Sequence, residues 1–280
     1  MTLLDKPARI ALLIDADNSP ASKIDVILAE LAKVGVANIR RAYGNWKKDG
    51  LKGWEAVLHE YAIRPVQQFD YSKGKNATDM GMVIEAMDLL YTDQPDAFGI
   101  VSSDSDFTPL VMHLKAKGAL VYGFGAKKTP MPFVNACSRF LYLENLGQAV
   151  EVAEADGAPK PAKGKPAAAR KTRGGAKAAA EPAAAVAESA APLRQDTAAL
   201  KQDARLVSLL RNAVESAAGE DGWSTLSAVG QQIGNQASFD SRNYGYRKLS
   251  DLIEATQLFE LDRRGNLVVL RDKRLAKTRG

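Results

Sequence analysis

The chain reads as an α/β domain with an open, mostly parallel sheet and helices on both faces, followed by a small winged-helix (α+β) module. Three observations predict this. Between residues 9 and 145, short apolar runs alternate with stretches of helical periodicity. From about Glu154 to Leu193, Ala, Pro, Lys and Gly displace the large apolar residues. Beyond residue 200 a second, shorter pattern of three helices and a hairpin begins. Alternation of the first kind implies right-handed crossovers between parallel strands.

In order, the predicted strands are Arg9–Ile14, Asn38–Tyr43, Arg64–Phe69, Phe98–Val101, Ala119–Phe124 and Phe140–Leu143. Between them run helices over Ser19–Lys33, Trp54–Tyr61, Thr78–Tyr91, Phe107–Lys117 and Pro132–Ala136. Ser19-Pro20 reads as a cap followed by the first turn. Gly35 and Gly118 follow the last periodic residue of their helices, where a left-handed cap is wanted. In the second module, Leu206, Leu209, Leu210, Ala213 and Val214 line one helical face. Trp223 precedes Ser224-Thr225, a cap for a short helix to Ile233. A helix over Tyr244–Ala255 turns Leu249, Leu252 and Ile253 inward. Phe259–Leu261 and Leu267–Leu270 form the wing, joined by Asp262-Arg263-Arg264-Gly265-Asn266.

The domain boundaries follow. Residues 7–147 form the α/β domain, 154–199 a disordered linker, 200–272 the winged-helix domain and 273–280 a basic tail. The linker lacks the apolar residues that would offset the entropy of ordering it. Hydrophobic content of 46% and charged content of 25% are ordinary for a globular protein. One cysteine, Cys137, excludes an internal disulfide and fits a reducing compartment, so a cytoplasmic location is expected. No signal peptide or membrane span is read. The net charge of +5 comes from beyond residue 150, since acids and bases balance before it. A neutral body joined to a basic, polyanion-seeking part suits nucleic acid.

The chemistry is carried by aspartates at the carboxyl ends of predicted strands, where open parallel sheets bind ligands. Asp15 ends the first strand in Asp15-Ala16-Asp17-Asn18. Asp104 and Asp106 follow the fourth in Ser102-Ser103-Asp104-Ser105-Asp106-Phe107. Asp79 opens the helix between them. Each has a competing local role: Asp15 and Asp106 as caps, Asp79 in the helix dipole. Gathered together they repel unless a cation joins them, and hard oxygen ligands suit Mg²⁺ or Mn²⁺. Such a metal lowers the pKa of a bound water and stabilises charge on a phosphate. Asp17 is expected to point away from Asp15 along an extended turn. Asn18 orients a water or phosphate, or caps the next helix. Ser102 and Ser103 bind a phosphate or shape their turn. Lys73, Lys75, Lys127 and Lys128 border the site as candidate substrate contacts. His59 and His113 lack metal-ligand spacing, and no Gly-x-Ser-x-Gly elbow occurs.

Taken together, Ile14-Asp15-Ala16-Asp17-Asn18, Lys73-Gly74 ahead of Thr78-Asp79, and Ser102 to Phe107 resemble the NYN domain family. Asn135-Ala136-Cys137-Ser138-Arg139-Phe140 resembles its closing segment. The family is similar to PIN and FLAP nucleases. The resemblance implies a PIN-like fold over residues 7–147 and a metal-dependent ribonuclease with catalytic and metal-binding Asp15, Asp79, Asp104 and Asp106. The C-terminal module resembles the OST-HTH, or LOTUS, domain over about residues 202–272, through Trp223, Asn243 to Leu249 and Leu252-Ile253. That likeness implies RNA as partner. Tyr244, Tyr246, Arg247, Lys248, Arg263 and Arg264 are the candidate RNA contacts, since aromatic and Arg side chains stack on unpaired bases.

Two other readings stay open on the sequence. One is an RNA-binding adaptor with a weak or silent acidic site. The other is a haloacid-dehalogenase-like phosphatase, with Asp15 as nucleophile and Asp17 as acid–base. The RNA target, the oligomeric state (a homo-oligomer included), and protein partners of the C-terminal module are not fixed by these patterns.

Overall fold

β1 (Arg9–Asp15) is apolar from Ile10 to Ile14 because it is central and covered on both faces. In the computed structural model, which describes residues 6–69, 77–147, 194–219, 221–265 and 267–276, it pairs in parallel with β2 (Val36–Gly44) and β4 (Ala97–Val101). β3 (Arg64–Gln67), β5 (Leu120–Gly125) and β6 (Arg139–Tyr142) complete a six-stranded sheet in the order β3-β2-β1-β4-β5-β6. All neighbours are parallel. The order reverses between β1 and β4, and a crevice opens at the carboxyl ends of strands at such a switch point.

The alternation of β1 decides what covers each face. Ala11 and Leu13 pack with α3 (Ala77–Thr92), α4 (Thr108–Ala116) and α5 (Met131–Ala136) through Met82, Ala86, Leu110, Val111 and Phe133. Ile10, Leu12 and Ile14 pack with α1 (Ile24–Leu31) and α2 (Lys52–Glu60) through Ile24, Ile27, Leu31 and Trp54. Period-two parity therefore aims Asp15 at the α3 side.

The two expected glycine caps differ. Gly118 has φ +91°, as a left-handed cap requires. Gly35 does not; a Cβ there would lie 2.3 Å from the Ala8 carbonyl oxygen, so close backbone approach is its reason. Ser19 is not a cap either. Its hydroxyl donates to the Val101 carbonyl at 3.3 Å, and the helix begins with a 3₁₀ turn, Ala21–Lys23, behind Pro20.

The second module begins earlier than expected. α6 (Thr197–Gln202) takes in the end of the expected linker, with Leu200 buried and Asp196 capping Ala199. The rest of that linker, through residue 193, lies outside the described residues. α7 (Ala204–Ser216), β7 (Ser224–Thr225), α8 (Leu226–Gln236), α9 (Leu249–Thr256), β8 (Phe259–Arg264) and β9 (Leu267–Asp272) follow. The three strands form a separate antiparallel sheet, β7-β9-β8. Thr225 caps α8 as expected. The helix expected over Tyr244–Ala255 starts five residues later. Ser241–Tyr244 is a 3₁₀ turn ended by Gly245 at φ +83°, where a Cβ would meet Arg194 Cα at 2.8 Å.

This turn fastens the module to the edge of the large sheet. The Asn243 side chain accepts from the Tyr142 amide at 3.2 Å and donates to the Phe140 carbonyl at 2.9 Å. It thus imitates a neighbouring strand on β6, an edge that would otherwise be an unpaired template. Beside it, Asp240 is buried between Arg139 and Arg242, and Arg242 reaches Glu30 at 2.6 Å. Burial alone would raise the Asp240 carboxyl; the two guanidiniums overrule it and hold the group below its ordinary range.

Candidate functional site

Asp15 sits at the switch point, in register with Tyr43 on β2 and one residue beyond the Ile14–Val101 pair. It is fully buried. Its Oδ2 accepts from Ser102 Oγ at 2.8 Å and from Asn18 Nδ2 at 3.0 Å. Its Oδ1 is buried with no hydrogen-bond partner. Burial raises the Asp15 carboxyl above its ordinary value; the Asn18 and Ser102 hydrogen bonds oppose this, and the charge of Asp17 adds to it.

Ser102 ties two acids together. The same hydroxyl that serves Asp15 accepts from the Asp104 amide at 3.1 Å. Asp104 in turn caps the 3₁₀ turn Ser105–Phe107, taking the Asp106 amide at 2.8 Å. The capping role expected of Asp106 therefore belongs to Asp104, and Asp106 projects outward. Asp79 lies in the first turn of α3, half-buried, and is pushed up to about 6. Burial is the largest cause, followed by the charges of Asp15, Asp104, Asp106 and Asp17. The four acids singled out in the sequence thus share one electrostatic field.

Asp17 joins them because the turn is not extended. The Asn18 amide closes back onto the Asp15 carbonyl at 3.3 Å. Asp17 then accepts from Thr78 Oγ1 at 2.9 Å, at the entrance of α3, and from Lys48 Nζ at 3.4 Å. Asn18 holds Asp15 rather than capping a helix. Ser103 shapes its turn, accepting the Ala126 amide at 2.8 Å. Lys127 and Lys128 are exposed after β5, on the same sheet edge. Lys73 and Lys75 lie outside the described residues.

Residues the sequence did not single out line the approach. Lys47 stands 5.1 Å from the centre of the exposed Phe69 ring, on the loops after β2 and β3. The signal was an aromatic–lysine pairing across two loops, visible only once β2 and β3 are known to be neighbours.

The candidate contacts of the C-terminal module divide. Tyr246 is buried in the core, donates to the Gln195 carbonyl at 2.7 Å and has the Arg194 guanidinium 4.3 Å from its ring centre. Its shape is spent on folding. Tyr244 lies half-buried against Phe239. Arg247, Lys248 and Arg263 are exposed. Arg264 lies over Trp223 at 4.9 Å, with Arg271 over the same ring at 4.6 Å.

Among the described residues, no three His, Cys, Asp or Glu side chains are grouped so that they could hold a metal ion. Mg²⁺ asks for less: it keeps several waters and binds through one or two carboxylates plus substrate phosphates. The buried, unpartnered Asp15 Oδ1 is a hard oxygen donor of the kind such a cation takes.

Residues 9–144 match the NYN domain family and residues 200–267 match the OST-HTH/LOTUS domain family. The chain carries an NYN domain of the PIN-like nuclease class, joined to an OST-HTH/LOTUS domain of a class associated with RNA. No curated protein matches the chain. Among solved structures, a Vibrio parahaemolyticus protein of unknown function shares 17% identity over 50% of this chain and 96% of its own, with a TM-score of 0.40. An uncharacterised Nitrosomonas europaea protein shares 36% identity over 23% of this chain and 70% of its own, with a TM-score of 0.22. Among the described residues no helix is long and apolar enough to cross a membrane.

Proposed function

We propose that the chain is a Mg²⁺- or Mn²⁺-dependent ribonuclease that hydrolyses RNA phosphodiesters endonucleolytically. The observation that carries this is the unpartnered, buried Asp15 Oδ1 at the switch point, in a cluster where the charges of Asp15, Asp104 and Asp106 act together on Asp79. A bound metal would supply an activated water and neutralise charge on the scissile phosphate. Asp15 and Asp104 would hold it, with Ser102 and Asn18 setting the Asp15 carboxylate. Asp79 faces the same cluster, and a bound cation would relieve the neighbouring negative charges that help raise its carboxyl in the metal-free chain. Lys127, Lys128 and Lys47 border the edge where a polyanion would lie, and Arg247, Lys248, Arg263 and Arg264 extend the basic surface onto the C-terminal module. The lone cysteine is buried and its thiol pushed up to about 12, which makes it a poor ligand or nucleophile.

The phosphatase reading needs Asp17 as a free acid–base group. Thr78 and Lys48 engage its two oxygens instead. Incubating the purified chain with labelled single-stranded and structured RNA, with Mn²⁺, Mg²⁺ or EDTA, tests the proposal. Cleavage that needs metal and is lost in Asp104→Asn is expected. Cleavage indifferent to EDTA refutes the metal mechanism, and binding without cleavage leaves an RNA-binding adaptor.

A further inference from the structure

The docked module leaves two adjoining clefts against the NYN domain, of about 240 and 280 Å³, which share Tyr142, Gln195, Asn243 and Tyr244. Each lies at or below the roughly 300–1,000 Å³ typical of small-molecule sites. Either has room for one planar group and not for a duplex. Their walls are unusual for a contact between two domains. Both amide atoms of Asn145 are buried with no partner, as is Ser238 Oγ. Buried polar groups are paired as a rule, so the two Asn145 orphans on the cleft of about 280 Å³, with Ser238 Oγ on the adjoining one, call for a missing partner. Phe239 stacks on Tyr244 with ring centres 5.9 Å apart and fixes that ring, while Tyr142 is held edge-on by Phe140. Arg205 lines one cleft and Lys127 the other.

Aromatic rings, an amide offering a donor beside an acceptor, and a lysine at the rim are the groups that recognise an unpaired base and its phosphate. Lys127 also follows β5, on the edge that holds the aspartates, so a strand anchored here would run toward Asp15 and Asp104. We propose that the cleft between the two domains holds one unpaired RNA base, packed on the Tyr142 and Tyr244 rings and read by Asn145, with the adjoining phosphate at Lys127. This rests on RNA being the substrate. It assigns to Tyr244 a contact made jointly with the NYN domain, not by the C-terminal module alone.

The test uses the full chain in EDTA with a fluorescent single-stranded RNA and the same sequence as a blunt duplex. Asn145→Leu is expected to weaken single-strand binding about tenfold without lowering Tm, because no hydrogen bond is lost. Lys127→Ala, which keeps the backbone amide that Glu144 accepts and adds no charge beside it, is expected to weaken it similarly. Ultraviolet cross-links are expected at Tyr142 or Tyr244. Unaltered affinity in both variants, cross-links confined to other residues, or equal binding of duplex overturns the proposal. If such a chain still cleaves RNA with Mn²⁺, the nuclease reading survives alone; a chain that neither binds nor cleaves RNA refutes both.

Discussion

The Ser102 hydroxyl donates to Asp15 Oδ2 at 2.8 Å while accepting the Asp104 amide at 3.1 Å, so one buried side chain sets the spacing of two carboxylates from two strands. Residues that orient metal ligands typically cost about 10–100-fold when removed. Ser102→Ala should lower the cleavage rate by about that factor and raise the Mn²⁺ concentration needed, while RNA affinity in EDTA stays as it was. A titration of rate against metal, beside an anisotropy measurement, separates the two effects.

Asp79 should make the metal-free protein less stable as pH rises. Its carboxyl stands at about 6 in the folded chain against an ordinary 3.8, so the folded form binds the proton more tightly. The contribution of Asp79 to stability is therefore greatest below about 4, falls through about 6, and stays low above it. Asp79→Asn should abolish cleavage yet raise Tm at pH 8 by a few degrees, about 1 kcal/mol once solvent screening is allowed for. Melting curves at pH 4 and pH 8 check this, and the mutant's advantage should vanish at the acid end.

Docking of the C-terminal module should respond to pH in the opposite sense. Asp240 is held below its ordinary value by Arg242 and Arg139 despite its burial, so its contribution is complete at neutral pH and lost as pH falls below about 4. Asp240→Asn should loosen the docking at pH 7 by on the order of 2 kcal/mol. Asn243→Ala should do likewise through the two lost backbone bonds. Hydrogen exchange at β6 and at Ser241–Tyr244 reports both, with faster exchange expected and the strands β1 and β4 unaffected.

Gly125 ends β5 against the site. A Cβ there would lie 2.6 Å from the Ser102 carbonyl oxygen and 2.7 Å from Thr129 Oγ1. Gly125→Ala should cost about 1–3 kcal/mol by forcing the backbone beneath Ser102 to move. Cleavage should fall along with Tm, whereas the open Gly50→Ala should change neither.

The large domain was legible because its signals are local. Six apolar runs broken by helical periodicity state a parallel sheet, and acids at strand ends state where its crevice lies. What depends on distant partners was not legible. Gly35 is required by the carbonyl of Ala8, and Asp17 is turned inward by a backbone bond and by Thr78, some sixty residues on. Tyr246 read either as an RNA contact beside Arg247 and Lys248 or as a core ring. Only the packing of Arg194 and Gln195, residues read as linker, shows why it is buried. The docking of the two domains rests on Asn243 posing as backbone, which no periodicity announces.

The switch point has one more consequence, for when the chain can act. Asp15 comes from its first strand, Asp79 from the middle of the domain, and Asp104 and Asp106 from the fourth strand. The acids meet only after β4 has paired beside β1, with 81 residues between the two strands. A growing chain that has not reached Asp104, or one cut before it, lacks two of the four acids. The acidic cluster thus arrives together with the finished fold, and a truncated copy does not assemble it.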